Sequence, residues 1–406
     1  MKRRKIAIFT GNRAEYGLQF PILKAVQAHK DLECLLLVSG AHLDPNFGRT
    51  LSEIKNDGFD ISEEIKIDMA GDTSTATALA ISAGVRAVCD ALNRLRPDIM
   101  VVYADRFEGF AAVIAASQMN IPTAHIEGGD ITEGGALDDS VRHAMTKLSH
   151  IHFTTNLQAT NRILAMGEEE WRVHTVGFPA IDLISEGQYA TEREIEENLS
   201  IDLSKPVVLF TQHSVTTEFE LAKQQVVPSI EALDQLANTG VQIVMTYPNN
   251  DAGGKSIIEE LEKYCANKPK NVQLHRSLGR HLYHGILATA CRDDRRIACV
   301  GNSSSGIKET PAFCCPTVNI GSRQAGRLRG QNVLDVGYNA TAIVEAIRTC
   351  LSDGEFREVC KNTENPYYLG DAGKKIAAVL ADIQIDQNLL RKRMTNTGAV
   401  KDGWYQ

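Results

Sequence analysis

The sequence predicts an α/β protein with two doubly wound, Rossmann-like domains that face each other across a cleft. Its 406 residues are more than one compact core usually holds. Short apolar, β-branched runs alternate with longer helical patterns, and this alternation occurs twice along the chain. The strand-like runs are apolar without interruption, which is typical of parallel strands covered by helices on both faces.

Eleven segments are predicted strands. In the first half they are "KIAIFTG", "ECLLLVSG", "DIMVVYAD", "PTAHIEGG", "IHFTTN" and "VHTVGF", and in the second half "PVVLFTQH", "VQIVMTYP", "NVQLHR", "RIACVGN" and "PTVNIG". A polar, acidic interruption, "SEGQYATEREIEENLSIDLSKP", separates the two series. We therefore place the first domain at residues 1–190 and the second at residues 200–370.

The composition argues against several classes of partner. A net charge of −8 without a basic block argues against nucleic acid. The run "IAIF" near the start is too short for a signal peptide, and no run of about 18 apolar residues predicts a membrane span. Nine scattered cysteines without framework spacing indicate reduced thiols. We therefore expect a cytoplasmic protein that binds neither nucleic acid nor membranes.

The loops that follow the predicted strands are rich in Gly, Arg, His, Asp and Ser, for example "TGNRAEYG", "YADRFEG" and "TQHSVTT". Doubly wound sheets bind ligands outside the carboxyl ends of their strands. We expect these loops to form the polar floor of the cleft. Because no G-x-G-x-x-G follows a strand, no dinucleotide redox cofactor is predicted, and the expected cofactor list is empty.

The segment "VGNSSSGIKE" is the strongest candidate for an anion site. A tight turn of small residues follows a strand, and Ser303 and Ser304 offer hydroxyls beside the N–H groups of the next helix. It is not an ATPase loop, because Lys308 lies one residue too far on and Glu309 replaces Ser or Thr. The alternative is an ordinary serine-rich helix N-cap.

Three side chains at other strand ends would complete a diphosphate site: Arg13, His213 and Arg323. An arginine fork binds phosphate oxygens in pairs. A single histidine is more often structural, so for His213 both explanations stay open at this point.

The segment "AHIEGGDITEGGALDDSVRH" has three possible explanations: a metal site, an acid/base site or a solvated loop. Asp105 follows the preceding strand and Glu127 ends the strand within the segment, so both are expected at one sheet edge. Crowded carboxylates separate their pKa values, which supplies an acid and a base. No closely spaced motif for a hard metal is present, so no metal is predicted. A solvated loop explains Asp130 and Glu133, but not Glu127.

The sequence "LDDSVRHAMTKLSH" predicts a helix. Its apolar stripe consists of Val141, Ala144, Met145 and Leu148. On this helical wheel Asp138 flanks the stripe, with Arg142 one turn below it on the same side, whereas Asp139 points toward water. Asp138 is therefore the predicted functional carboxylate of this helix.

Taken together, the motifs resemble those of the hydrolysing UDP-N-acetylglucosamine 2-epimerases of bacterial sialic and legionaminic acid synthesis. The segments that carry the resemblance are "TGNRAEYG", "YADRFEG", "HIEGGDITEGGALDDSVRHAMTKLSH", "TQHSVTTE", "YPNNDAG", "GNSSSGIKETPAF" and "NIGSRQAGRLRGQNV". They span almost the whole chain in the family's order. The resemblance implies a glycosyltransferase-B type of fold, with a C-terminal helix at residues 371–385 that packs back on the first domain and a tail at 386–406.

The resemblance also implies a mechanism. A base removes the proton from sugar carbon 2 while UDP leaves carbon 1, and water then adds to the resulting glycal, so that UDP and the free 2-epimer are released. The implied catalytic positions are Asp105, Glu127, Asp138, Arg142 and His213. The implied UDP-binding positions are Arg13, Arg106, His213, Asn249, Ser277, Ser303, Ser304, Glu309 and Arg323. Of these, Glu309 would take the ribose hydroxyls, and Ser277 would contact uracil through its backbone.

The expected partners are a UDP-2-acetamido sugar and water, and a homodimer or homotetramer is expected. The long loop "EGGDITEGGALDD" and the tail "RKRMT" resemble enzymes acting on UDP-N,N′-diacetylbacillosamine, which we favour over UDP-N-acetylglucosamine as the substrate. A non-hydrolysing epimerase, a glycosyltransferase of the same fold and a non-catalytic nucleotide-sugar sensor remain alternatives.

Overall fold

The computed structural model describes residues 3–43, 51–67, 74–132, 137–249, 252–266, 271–352 and 354–395. The chain divides into two compact units. Unit 1 comprises Met1–Asp130, Leu137–Asp182 and Leu369–Gln406, and unit 2 comprises Ile131–Ala136 and Leu183–Tyr368. The change of unit at Leu183 lies a few residues before the predicted end of the first domain at residue 190.

The strands of the described residues form two sheets. Those of unit 1 are β1 (Arg4–Thr10), β2 (Leu32–Ser39), β3 (Ile61–Ile65), β4 (Ile99–Tyr103), β5 (Thr123–Ile126), β6 (Ile151–Thr154) and β7 (Val173–Thr175). Those of unit 2 are β8 (Val207–Thr211), β9 (Gln242–Thr246), β10 (Val272–His275), β11 (Ile297–Gly301), β12 (Thr317–Ile320) and β13 (Val333–Val336). The strand orders are β3-β2-β1-β4-β5-β6-β7 and β10-β9-β8-β11-β12-β13, and all neighbouring strands are parallel.

Helices connect the strands. They are α1 (Arg13–Ala28), α2 (Leu51–Asn56), α3 (Ser74–Leu95), α4 (Phe107–Gln118), α5 (Leu137–Leu148), α6 (Leu157–Ala165), α7 (Ala180–Ser185), α8 (Glu192–Leu199), α9 (Ala222–Ala237), α10 (Gly254–Cys265), α11 (Gly279–Ala288), α12 (Ser305–Lys308), α13 (Ala340–Ser352), α14 (Gly354–Lys361), α15 (Ala372–Asp382) and α16 (Gln387–Leu390). Crossovers between parallel strands are usually helical, and the connection from β12 to β13, which consists of turns and irregular structure, is an exception.

Strand β1 shows why the apolar runs are continuous. Ile6 and Ile8 pack into one apolar cluster, whereas Ala7 and Phe9 pack into another, and all four are fully buried. Successive side chains of a strand point to opposite faces, so both faces of the sheet are covered. The predicted class of doubly wound α/β units and all eleven predicted strands are confirmed.

Two strands were not predicted, β3 and β13, and both lie at sheet edges. Their sequences are "ISEEI" and "VLDV", and most of their residues are partly exposed. An edge strand with one open side does not need a continuous apolar run, so this signal is missing from the sequence.

The strand order reverses between β1 and β4 in unit 1, and between β8 and β11 in unit 2. At such a switch point the two crossovers leave in opposite directions and open a crevice at the carboxyl ends of the strands. The segments directly after these four strands carry Arg13, the first residue of α1, and the loop residues Asp105, His213 and Ser303. The topology therefore places predicted site residues at the usual ligand position of each sheet.

Residues Thr75–Leu95 of helix α3 are long and apolar enough, by length and composition, to cross a membrane. No uninterrupted apolar run marks it, because Ser82 and Arg86 interrupt the pattern. The helix packs along α4, and a Cβ at Gly84 would lie 2.9 Å from the Cβ of Ala111. One helix of this kind among the described residues is weak evidence for a membrane span.

Helix α15 packs against α1 within unit 1. The side chain of Asp182 accepts hydrogen bonds from the N–H groups of Ala372 at 3.0 Å and Gly373 at 2.8 Å, which caps the start of the helix. Ile376 and Leu380 join the apolar cluster of α1 and β1. The cap comes from a residue 190 positions away, so sequence near α15 does not reveal it.

The close approach of α15 to α1 gives a first prediction. A Cβ at Gly373 would lie 2.6 Å from the carbonyl oxygen of Pro21, which is backbone and cannot move aside. We expect Gly373→Ala to lower the free energy of unfolding by about 1–3 kcal/mol in urea titrations. The control is Gly354→Ala, where nothing lies within 4 Å and the change should stay within about 0.5 kcal/mol or stabilise. Equal effects of the two substitutions would contradict this packing.

Candidate active site

Two strands of unit 1 end in residues with an unusual backbone. Ala104 after β4 has a φ of 53°, and Glu127 after β5 has a φ of 63°. This left-handed region is unfavourable for residues other than glycine, and such residues cluster at functional sites. The N–H of Ala104 donates to Ile126 O and that of Glu127 donates to Phe153 O, both at 2.9 Å. Asp105 and Glu127 therefore leave the sheet at the same edge.

Arg142 is the centre of the acid cluster. It is 2% exposed, forms an ion pair with Asp105, and places Nη1 4.0 Å from Oδ2 of Asp130. Burial by itself lowers the pKa of Arg142, but the charges of Asp105, Asp130 and Glu127 together raise it well above its ordinary value. The structure thus brings together three predicted residues, Asp105, Glu127 and Arg142.

The first turn of α5 is oriented differently from the prediction. Asp139 is buried and Asp138 is exposed, the reverse of what the helical wheel indicated. The buried residues of α5 are Asp139, Arg142, Met145 and Thr146. Most of these are polar, because this face of the helix packs against the acid cluster. The apolar stripe predicted from hydrophobicity therefore does not coincide with the buried face. Asp138 stays a predicted catalytic residue, now on the exposed side of the first turn.

The glycines of the acid segment permit close packing. A Cβ at Gly128 would lie 2.8 Å from Nδ1 of His125 and 2.9 Å from Oγ1 of Thr146. The chain after Glu127 therefore passes directly over α5. It carries Asp130 into the interior, where this residue is 3% exposed, so the expectation of a solvated Asp130 is wrong. Glu133 lies outside the described residues.

His125, which the sequence analysis did not single out, links α5 to the end of β4. Its Nε2 lies 2.7 Å from Ala104 O and its Nδ1 lies 3.1 Å from Oγ1 of Thr146. Because a carbonyl only accepts, Nε2 carries the proton. Burial lowers the pKa of His125 to about 3, which keeps the ring neutral. Thr146 Oγ1 also lies 3.0 Å from Arg142 O. The residue before Asp105 is thereby tied to the helix that carries Arg142.

A second pair of buried acids lies beside the loop after β1. Glu15 accepts a hydrogen bond from Gly11 N at 2.8 Å, and Glu108 is fully buried with Nε of Arg106 3.5 Å from its Oε2. Burial is the main cause that raises the pKa of Glu15 to about 8. The hydrogen bond from Gly11 lowers this pKa, whereas the charge of Glu108 raises it further. Arg106 keeps 43% of its side chain exposed. Arg13 begins α1, and its side chain lies outside what the structure describes.

In unit 2 the ring of His213 is fixed in one tautomer. The N–H of Asn249 donates to its Nδ1 at 3.0 Å, so Nδ1 carries no proton. Burial first, and then the nearby charge of Arg323, lower the pKa of His213 to about 3. The side chain is therefore a neutral imidazole whose Nε2–H is a hydrogen-bond donor.

Asn302 forms hydrogen bonds with both His213 and Arg323, although the sequence indicated it only as part of a small-residue turn. Its side chain accepts from His213 N at 2.6 Å and donates to His213 O at 2.9 Å, while its carbonyl accepts from Nη1 of Arg323 at 3.1 Å. It is 1% exposed. The preceding Gly301 has a φ of 129°, and a Cβ there would lie 1.9 Å from Thr211 O. No local signal marks Asn302, because its partner is 89 residues away.

The serine-rich turn leads into α12. Ser303 and Ser304 are partly buried, and Oγ of Ser303 accepts from Ser305 N at 3.4 Å. Oε2 of Glu309 accepts from Ser305 Oγ at 2.6 Å and lies 2.9 Å from Nε2 of His284. Burial raises the pKa of Glu309, but His284 and Ser305 lower it by more, so the carboxylate is ionised.

Ser277 lies in the loop before α11. It is exposed, and its Oγ accepts from Gly279 N at 3.1 Å, so the side chain serves the local turn. Among the described residues, no group of three or more His, Cys, Asp or Glu side chains is placed to hold a metal ion. Within unit 2, the structure brings together the predicted His213, Asn249 and Arg323.

The model of the UDP-N-acetylglucosamine 2-epimerase family matches residues 24–381. The chain belongs to this family. The family resemblance predicted from the motifs is therefore confirmed.

Two relatives of this epimerase-family protein share with each other the name of a hydrolysing UDP-N,N′-diacetylbacillosamine 2-epimerase. The GDP/UDP-N,N′-diacetylbacillosamine 2-epimerase (hydrolyzing) of Campylobacter jejuni is 36% identical over 339 residues, 84% of this chain and 86% of the relative. The UDP-N,N′-diacetylbacillosamine 2-epimerase (hydrolyzing) of Legionella pneumophila is 34% identical over 389 residues, 96% of this chain and 98% of the relative.

A solved structure supports the fold. The UDP-GlcNAc 2-epimerase of Neisseria meningitidis bound to UDP-GlcNAc has a TM-score of 0.78 to this chain at 20% identity, covering 93% of this chain and 99% of that one. At this identity the likeness concerns the fold alone. It confirms the predicted class of two Rossmann-like domains of the glycosyltransferase-B type.

The tautomer of His213 in this epimerase-family protein can be measured without any substrate. We expect ¹H–¹⁵N spectra to show a neutral ring protonated on Nε2 from pH 5 to pH 8, roughly the range in which an ordinary histidine titrates. His213→Gln identifies its signals among those of 11 histidines. A proton on Nδ1, or a titration near pH 6.5, would contradict the geometry.

Proposed function

We propose that this protein is a hydrolysing UDP-sugar 2-epimerase. It eliminates UDP from a UDP-2-acetamido sugar through a glycal, hydrates the glycal and releases the free 2-epimer. The favoured substrate is UDP-N,N′-diacetylbacillosamine, which gives 2,4-diacetamido-2,4,6-trideoxymannose. The other candidate is UDP-N-acetylglucosamine, which gives N-acetylmannosamine. Either product would feed the synthesis of a nonulosonic acid, legionaminic or sialic, in the cytoplasm.

The observation that carries this proposal is the pair of relatives at 36% and 34% identity, which cover most of both chains and share one named substrate and a hydrolysing activity. The site geometry supports the same chemistry. Buried carboxylates gather around Arg142 at the switch-point edge of unit 1, and hydrogen-bond donors gather around Asn302 at that of unit 2.

The acids of unit 1 would move the proton of sugar carbon 2. Asp105 keeps 19% of its side chain exposed, more than Asp130 at 5%, so it is the more accessible of the two carboxylates paired with Arg142. A carboxylate bound to arginine stays ionised and can accept a proton. We propose that Asp105, Glu127 and Asp138 act on the two faces of the sugar and that Arg142 holds the carboxylates in place.

The groups of unit 2 would bind the nucleotide and stabilise its departure. Neutral His213 donates through Nε2–H, and Arg323 adds a positive charge where the diphosphate leaves. We assign the diphosphate to His213, Arg323 and the N–H groups at Ser303 and Ser304. The remaining nucleotide contacts of unit 2 fall to Asn249, Ser277 and Glu309, and the ionised Glu309 would bind the ribose hydroxyls. The contacts expected of Arg13 and Arg106, which belong to unit 1, remain implied by the family resemblance alone. We also propose that the protein forms a homodimer or homotetramer.

Incubation with one UDP-sugar in deuterated water tests the reaction type. We expect UDP release without any acceptor, and deuterium at carbon 2 of the free sugar. A requirement for an acceptor would indicate a glycosyltransferase, and a reversible mixture of two UDP-sugars would indicate a non-hydrolysing epimerase. Comparing kcat/KM for the two candidate substrates then decides which is preferred.

The catalytic acids give a second test. Asp105→Asn should lower kcat about 100- to 10,000-fold, the usual contribution of a general acid or base, while UDP binding remains. The matched control is Asp382→Asn, at an exposed position of unit 1, which should leave kcat unchanged. Full activity of Asp105→Asn would remove Asp105 from the mechanism, and retained UDP binding without turnover in the wild type would indicate a sensor.

Arg323 tests the nucleotide site independently. A charge-assisted hydrogen bond is worth about 1.5–3 kcal/mol, so Arg323→Ala should weaken UDP binding roughly 10- to 100-fold in calorimetry. The control is Arg348→Ala, which removes an exposed arginine of the same unit. An unchanged Kd for UDP in Arg323→Ala would exclude Arg323 from the diphosphate site.

A further inference from the structure

The C-terminal tail of unit 1 reaches the end of helix α5. Nζ of Lys392 lies 3.2 Å from Thr146 O, 2.8 Å from Lys147 O and 2.5 Å from Ser149 O, and it pairs with Glu168 Oε2 at 2.8 Å. Only 16% of the Lys392 side chain is exposed. The ammonium group is thus enclosed by the last carbonyls of one helix and one buried carboxylate.

These carbonyls are a natural site for a cation. The last four C=O groups of a helix have no partner within it, and together they form the negative end of the helix dipole. Helix α5 ends at Leu148, so the carbonyls of Thr146 and Lys147 belong to this set and that of Ser149 follows. Lys392 therefore caps α5 from a segment that is 243 to 246 residues away.

The tail is held in place by other contacts. The fully buried Arg172 donates to Leu389 O at 2.8 Å and to Asn388 O at 2.6 Å. Farther along, Thr395 N donates to Gly167 O at 2.8 Å. Removal of the Lys392 charge should therefore leave the tail bound, and its effect should fall mainly on α5.

Helix α5 connects this cap to the acid cluster. Thr146, whose carbonyl faces Lys392, places Oγ1 3.0 Å from Arg142 O and 3.1 Å from His125 Nδ1. His125 in turn donates to Ala104 O, directly before Asp105. The Thr146 hydroxyl has one proton, which it donates to either Arg142 O or His125 Nδ1, so groups from both ends of the Arg142–Asp105 ion pair lie within its reach.

We propose that Lys392 is a positioning residue that holds helix α5, and through it the Arg142 guanidinium, in register with Asp105. This inference goes beyond the proposed function and rests on it for the kinetic measurement alone. Lys392 does not contact the acid cluster, so it acts through the helix. The consequence is a fall in kcat with nucleotide binding in unit 2 unaffected.

Three variants test the proposal: Lys392→Met, which removes the charge, Lys392→Arg, which keeps it, and Lys30→Met, which changes an exposed lysine of the same unit. In Lys392→Met we expect kcat to fall about fivefold or more, because proton transfer tolerates little displacement, with KM and the Kd for UDP within about twofold. Lys392→Arg should restore kcat to within about threefold of the wild type. Lys30→Met should match the wild type.

Hydrogen exchange of the α5 amides is measured on the same proteins without substrate. Faster exchange in the last turn of α5 in Lys392→Met, but not in Lys30→Met, is expected if the cap holds the helix. A kcat within about twofold of the wild type in Lys392→Met, or equal loss in Lys392→Arg, would overturn the positioning role. An inactive wild type would overturn the proposed function instead. In that case, unchanged hydrogen exchange of the α5 amides in Lys392→Met would show that Lys392 does not cap the helix. Loss of UDP binding in Lys392→Met would also overturn the positioning role, because the proposal leaves nucleotide binding in unit 2 unaffected.

Discussion

The burial of Arg142 among carboxylates is the constraint on which unit 1 depends. A buried charge is strongly unfavourable without partners, and removing one partner of such a pair typically costs about 3–5 kcal/mol. Here Asp105, Asp130 and Glu127 compensate the guanidinium, and all three are brought to it by the loops after β4 and β5. The acids that would move protons are therefore also the groups that let the helix bury its arginine.

The backbone around this cluster also brings the carboxylates close to Arg142. Ala104 and Glu127 occupy left-handed conformations that cost free energy, and the surrounding contacts hold them there. The glycine after Glu127 lets the chain pass against His125 and Thr146 without a clash. Glu127, Gly128 and Asp130 thus have one explanation, since the two carboxylates surround one buried cation and a side chain at Gly128 would clash with His125 and Thr146.

In unit 2, hydrogen bonds instead of ion pairs hold the predicted site residues in place. Asn302 fixes the backbone of His213 on one side and the guanidinium of Arg323 on the other, and the N–H of Asn249 selects the tautomer of the histidine ring. A neutral donor with a fixed proton needs no rearrangement when charge develops on a leaving group. Such preorganisation would suit the proposed diphosphate site.

The sequence by itself determined the architecture and the candidate residues of the site. Eleven strands were predicted from apolar runs, which parallel strands buried on both faces require. Asp105, Glu127 and His213 were selected as candidates because they lie within two residues of the ends of such strands. Tertiary structure decided what depends on distant partners. The edge strands β3 and β13 lack the apolar signal, and the orientation of Asp138 and Asp139 follows a buried polar face that hydrophobicity cannot indicate. Asn302, His125 and Lys392 gain their roles from groups 21 to 246 residues away, and periodicity and spacing report only on neighbours along the chain.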